Sequence, residues 1–144
     1  MPIRKSDYPP DWPAISLQVR EEAGQRCEWC GAPNRKVIRR PKAPMPETWH
    51  SDYPGCDWVI IRDIEETNGE IIATGELSWA RLRFHGLTKV ILTVAHLDRD
   101  SQNNARSNLA ALCQRCHLRH DIRQHVATRR YGRDYAKEQQ LKLI

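Results

Sequence analysis

Two cysteine pairs, Cys27/Cys30 and Cys113/Cys116, each spaced C-x-x-C, constrain this chain more than any other feature. Four thiolates suit one tetrahedral zinc ion. If both pairs hold the same ion, distant parts of the chain must meet at one point. Residues 31–88 then become an insertion with converging ends. Closing so long a loop is affordable, because its entropic cost grows only with the logarithm of length. A closed four-cysteine site keeps no open coordination position, so it reads as scaffold and not as a catalytic centre. Redox use of C-x-x-C would want a thioredoxin-like βαβ setting, which the sequence lacks. Cys56, the fifth cysteine, reads as a partly buried bystander, since free cysteine behaves as a small hydrophobe.

The remaining composition fits one small globular domain of 144 residues. Lys and Arg outnumber Asp and Glu by 23 to 18, an excess of +5 that fits a nucleic-acid partner without identifying one. No stretch approaches the roughly 18 apolar residues of a membrane span. The start, MPIRKSDYPPDW, lacks the apolar core of a signal peptide. The expected compartment is a reducing cytoplasm, where paired C-x-x-C motifs favour metal over disulfide.

Local signals divide the chain. Residues 1–11 read as a loose start. Asp11 is expected to cap a helix with Pro13 in its first turn, an apolar stripe of Ile15, Val19 and Ala23, and a stop at Gly24. That helix and the first cysteine pair fill residues 12–30. Within the insertion, the prolines and the basic run Arg35-Lys36 and Arg39-Arg40 read as a solvated loop, pinned to the body by Trp49 and Tyr53. Trp58–Ile64 reads as a strand, Asn68-Gly69 as a hairpin turn with positive φ at both residues, and Ile71–Thr74 as the returning strand. Residues 76–86 fit either a strand or a helical turn. Residues 89–130 form the last unit: a strand to Leu97, a polar loop, a strand from Asn108 to Leu112, and a helix from about Gln114 to about Arg130. Residues 131–144 form a basic tail.

The order strand, His96, loop, Asn108-Leu109, Cys113-x-x-Cys116-His117, helix resembles the HNH endonucleases, whose ββα-metal core belongs to the His-Me finger superfamily. It is most similar to phage and prophage members carrying two zinc-binding C-x-x-C pairs. The resemblance covers residues 89–121, with support from 12–31. It implies an α+β fold in which a ββα-metal core sits on a four-cysteine zinc knuckle, with an inserted hairpin and an N-terminal helix. It also implies a bacterial or phage-encoded enzyme that hydrolyses DNA phosphodiester bonds to 5′-phosphate and 3′-hydroxyl ends. Under it His96 is the general base, a role suited to imidazole near neutrality. Asn108 clamps the loop between the strands. His117 is a ligand for one catalytic divalent ion (Mg²⁺, Mn²⁺, Ni²⁺ or Zn²⁺).

Many family members carry a second ligand immediately before the base. Here that residue is Ala95, which ligates nothing. Asp121, one helical turn beyond His117, is the leading substitute. Asp98, two residues after His96, is the second, since it shares a strand face with His96 if the strand continues. At about 100° per residue, Arg115, Arg119, Arg123, Arg130 and Arg133 fall within about 80° of the last helix. Leu118, Ile122 and Val126 form an adjoining stripe expected to face the core. His117, Asp121 and His125 lie beyond that stripe, and His120 and His85 are assigned to the surface. The arginine face would neutralise phosphates of double-stranded DNA at the minor groove. Ala95 keeps a second reading open, a zinc-stabilised DNA-binding module without catalysis. A third is a protein-interaction role for the insertion.

Overall fold

The computed structural model describes residues 5–40 and 58–132. The expected contacts of Trp49 and Tyr53, the packing of Cys56, and the tail with Arg133 lie outside those residues. The architecture is α+β, with small antiparallel sheets and helices.

The N-terminal segment is tied in. A 3-10 turn, Lys5–Asp7, leads to Tyr8, whose ring stacks on Trp12 with 4.8 Å between centroids. Helix α1, Trp12–Glu22, carries proline in its first turn. Asp11 precedes it but makes no side-chain cap hydrogen bond, contrary to the sequence reading. Val19 is buried, and Ile15 and Ala23 pack against the same core.

Strand β1, Val37–Arg39, lies between β2, Val59–Ile60, and β5, Thr88–Lys89. Strands β3, Asp63–Glu65, and β4, Ile71–Ala73, make a separate hairpin. The continuous strand expected over 58–64 is therefore split between two sheets. Its break is fixed by Thr74, whose hydroxyl donates to the Ile61 and Arg62 carbonyls at 3.1 and 2.8 Å. In the turn only Gly69 takes a positive φ (80°), not Asn68 as well. Gly69 N–H donates to Glu66 O, and Asn68 Oδ1 accepts from Glu70 N–H. Residues 79–84 resolve as a short helix, α2 (Trp79–Phe84), capped by Ser78.

The strand expected over 89–97 is broken as well. Val90 to Leu92 hydrogen-bond outward: Val90 to the Lys36 and Arg35 backbones, Ile91 to Gln114, and Leu92 to the Asn34 side chain. Strand β6 is thus only Thr93–His96. It pairs with β7, Leu109–Leu112, in the register Thr93↔Leu112 to His96↔Leu109. All of β7 and most of β6 are buried. Helix α3, Gln114–Tyr131, follows β7 at once and ends at Gly132.

The main core joins the β6–β7 hairpin, Val19, three of the four paired cysteines, and Ile38 and Trp58 from the 31–88 segment. Trp58 is only 1% exposed and its indole N–H donates to Cys30 O at 2.8 Å. The segment between the cysteine pairs therefore supplies core, not only surface. Burial alone makes Trp58→Ala a large-to-small change costing about 3–5 kcal/mol, with further loss from the orphaned carbonyl. Urea unfolding of the variant beside the parent is the measurement.

Candidate functional site

Four sulfurs converge where α1, the loop after it, β7 and α3 meet. The Sγ atoms of Cys27, Cys30, Cys113 and Cys116 all lie within 4.8 Å of one another. Tetrahedral zinc at about 2.3 Å from each thiolate would set them about 3.8 Å apart, so the cluster is close enough to hold a metal ion. Cys30 and Cys113 are already 3.6 Å apart. Gly31, at φ 74°, makes the turn in which its N–H donates to Cys27 O. Arg40 donates from one guanidinium nitrogen to both Cys30 and Cys113 sulfurs, at 3.6 and 3.3 Å.

Their acidities diverge as expected for four crowded groups. Hydrogen bonds from Cys113 and Cys27 and from Arg40 hold the Cys30 thiol far down. Hydrogen bonding to Cys27 and Cys30 raises Cys113, and burial followed by the neighbouring sulfur charge raises Cys116 to about 12. Each further thiolate in so tight a cluster repels those already formed. Further deprotonation needs a cation in the middle.

The second cluster lies in a cleft of about 170 Å³ lined by His96, Ala95, His117 and Asp121, with Tyr8 and Arg99 at its edge. His96 closes β6 and is buried. Its ring stacks on Trp12, with centroids 5.0 Å apart and planes 20° apart. His96 Nε2 lies 2.9 Å from Asn104 Oδ1, while Asn104 Nδ2 donates to Gln102 O at 3.4 Å. Asn104 therefore turns its oxygen to the ring. Nε2 carries the proton, and Nδ1 is the basic nitrogen.

His117 and Asp121 come together across one turn of α3, with Nε2 and Oδ2 3.1 Å apart. Two ligands on adjacent positions of one ion, each about 2.1 Å away, would be about 3 Å apart, so the pair fits a divalent cation. Thr93 Oγ1 holds the other nitrogen of His117 at 2.6 Å, as an outer partner orienting a metal-binding imidazole would. Burial raises the Asp121 carboxyl, but hydrogen bonds from His117 and His120 outweigh it and hold the group at about 2. Among the described residues, the cysteine cluster is the only group of three or more side chains suited to one metal ion.

Asn108 is buried at the far end of the hairpin and acts on the loop. Its Oδ1 accepts from Asp98 N–H at 3.0 Å, and its Nδ2 donates to Asp98 Oδ1 and to Asn103 O, each at 2.8 Å. Asp98 is spent in these contacts. The strand stops at His96, so Asp98 does not share its face, and its other oxygen accepts from Asn103 Nδ2.

Residues not singled out in the sequence complete the cleft. His120, expected at the surface, has a side chain only 9% exposed. Its Nδ1 meets Asp121 Oδ1 at 2.7 Å and its Nε2 meets Leu97 O at 3.0 Å. Arg99, in left-handed backbone at φ 64°, donates to His120 O. Such a backbone costs a non-glycine residue about 1 kcal/mol or more. Asn104, Thr93, Tyr8 and Trp12 carry no local signal, since each matters only through a partner distant in the chain or across the loop.

Arg115, Arg119, Arg123 and Arg130 are all exposed. Leu118, Ile122 and Val126 do not face the core as expected: they are 53%, 47% and 58% exposed. Cys116 is the buried residue of α3, and its packed side runs through His120 and Gln124 instead. No described helix is long and apolar enough to cross a membrane. Comparison with protein-family models, curated proteins and solved structures gives no match for this chain.

Two measurements follow from these clusters. The protein is expected to carry one metal ion per chain on its four cysteines, with affinity rising as pH rises because protons must leave the thiols. Native mass spectrometry gives the count, and chelator-induced loss of circular dichroism shows whether the fold depends on it. Asp98 gives a separate pH signature. Burial raises its carboxyl, but hydrogen bonds from Asp100 N–H, Asn103 and Asn108 lower it more. A folded value below the unfolded value of about 3.9 means its contribution is complete above that value and fades as pH falls through the folded one. Asp98→Asn should flatten the loss of stability below about pH 4.

Proposed function

We propose that this chain is a metal-dependent endonuclease of the HNH type that hydrolyses phosphodiester bonds in double-stranded DNA. The observation that carries this reading is the convergence of His96 with the His117–Asp121 pair in one cleft. These residues stand on a strand hairpin and its following helix, with Asn108 bracing the loop between the strands. The four cysteines hold zinc as scaffold, at a site with no coordination position left for chemistry.

In this reading His96 Nδ1 takes a proton from water as the water oxygen bonds to phosphorus. The bond from phosphorus to the 3′ oxygen breaks, leaving a 5′-phosphate. Asn104 fixes the tautomer that makes Nδ1 the acceptor, and Trp12 covers one face of the ring. A divalent ion held by His117 and Asp121 would supply neutralising charge at the phosphate and the leaving oxygen. Thr93 and His120 orient those two ligands. Arginines on α3 would draw in the phosphate backbone.

A second reading has Ala95 in its favour, since it stands buried at 2% exposure where a ligand would be expected. It makes the chain a DNA-binding module without catalysis. Supercoiled plasmid incubated with Mg²⁺, Mn²⁺ or Ni²⁺ separates the two. The nuclease should nick or cut it, with His96→Ala slower by about 10²–10⁴-fold, the usual contribution of a general base. His117→Ala should lose the metal dependence. Duplex binding with no cutting under any of these ions favours the second reading, and equal cutting by parent and His96→Ala removes His96 as the base.

A further inference from the structure

The basic run of residues 35–40, read from the sequence as solvated, divides in two. Arg40 turns to the cysteine sulfurs. Arg35 and Lys36 instead line a groove of about 350 Å³ that shares no residue with the cleft, and Arg62 joins them from beyond β2. All three are exposed, and no acidic residue lines the groove. Among the described residues, the ion pairs of Glu22, Glu28, Glu66 and Asp121 go to other cations, and none reaches these three. The floor is Val37, Ile60 and Ile61. Aliphatic surface of this kind supports long cationic stems while their heads stay in water.

Arg35 stands in left-handed backbone at φ 63°, as Arg99 does at the cleft. Such backbone is strained for a residue with a Cβ and persists where neighbouring contacts impose it. Here Arg35 N–H donates to Val90 O and Val90 N–H to Lys36 O, each at 2.8 Å, while Asn34 Oδ1 accepts from Leu92 N–H at 3.0 Å. These bonds fix the cations to the segment that carries Thr93, whose hydroxyl holds His117. Val90 is three residues from Thr93, a span of at most about 11 Å. Phosphates follow one another about every 3.4 Å of axis on each DNA strand, so the groove begins within a few phosphates of His117.

Three crowded cations with no acid among them call for an anion. A lone small anion held by exposed groups gains little against water and salt. A duplex already seated at the cleft brings several phosphates to the groove at once, and each neutralised phosphate releases condensed counterions. We propose that Arg35, Lys36 and Arg62 form a phosphodiester-binding site for the DNA that flanks the cut, so that the inserted segment holds substrate as well as supplying core. This rests on the DNA reading above and adds a second contact region to it.

The test uses the metal-loaded full chain without Mg²⁺ and follows duplex binding by fluorescence anisotropy across a salt series. Arg35→Gly removes the charge and suits the left-handed backbone, so the fold should survive it. Arg35→Gly, Lys36→Gln and Arg62→Gln should each lower the slope of log affinity against log salt by about 1. Each should weaken binding by up to about eightfold at about 0.1 M salt. Arg62→Lys should keep the slope. Arg83→Gln removes the same charge from an exposed position on α2, outside the groove, and should leave the slope nearly unchanged. Unchanged slopes for the three groove variants beside a parent that binds, or an equal fall for Arg83→Gln, overturn the site while the DNA reading stands. If the parent binds no duplex, both fall. Isothermal titration with inorganic phosphate and pyrophosphate covers the other source of the same chemistry. Phosphate binding that the groove variants abolish, with duplex slopes unchanged, makes this a small-anion site and overturns the proposal. Capture by phosphatidylserine vesicles in place of duplex overturns it too.

Discussion

Four sulfurs held within 4.8 Å of one another set the arrangement of nearly everything else in this molecule. Cys27 and Cys30 follow α1, while Cys113 and Cys116 begin α3. Joining them fixes the direction in which α3 leaves the β6–β7 hairpin, and hence the position of His117 and Asp121 relative to His96. Four thiolates cannot crowd together uncompensated. Arg40 donates to the Cys30 and Cys113 sulfurs, and crowding by neighbouring sulfurs and burial make Cys113 and Cys116 weaker acids. A divalent cation resolves this conflict by replacing protons, so metal affinity and folding stability are parts of one free energy here.

Around that anchor the cleft is built by hydrogen bonds that cross between elements. Asn108 holds Asp98 and Asn103, and through them a loop that would otherwise place nothing. His120 links Leu97 O, directly after His96, to the Asp121 carboxylate. Arg99 accepts a strained backbone while its guanidinium secures His120 O. Strain of this kind persists only where surrounding contacts over-determine it, and the contacts here run along the rim of the cleft.

What could be read from the sequence is what local chemistry dictates. The C-x-x-C pairs announce a metal cluster because their spacing alone brings two sulfurs to one point. The i,i+4 relation of His117 and Asp121 follows from helix geometry and needs no tertiary information. Asn68-Gly69 marks a turn by its own backbone preference, although one positive φ sufficed. Apart from the missing Asp11 cap and the Asn68 backbone, the misjudged features depend on partners elsewhere in the chain. Apolar residues 89–92 look like continuous strand, yet Asn34 takes the Leu92 N–H from 58 residues away and helps end the pairing. Leu118, Ile122 and Val126 carry the periodicity of a core stripe, but α3 packs through Cys116 and His120 and leaves them outside. Periodicity reports that a helix has an apolar side, and not what covers it.

Ala95 follows from the same reasoning. It pairs with Ala110 across the hairpin, and both are buried in a core where Leu109 and Leu112 are also closed off from solvent. A carboxylate there would have to be desolvated unless an ion met it at once. With alanine the hairpin packs tightly without help. The consequence falls on the other side of the cleft, where, in the proposed reaction, His117 and Asp121 would be the two protein donors to an ion. Divalent ions such as Mg²⁺ prefer six oxygen or nitrogen neighbours and retain water readily. An ion on two donors would draw its remaining coordination from water and from the phosphate itself. In the proposed reaction, ion binding and DNA binding would then strengthen each other, and the ion would be held best when there is a bond to cut.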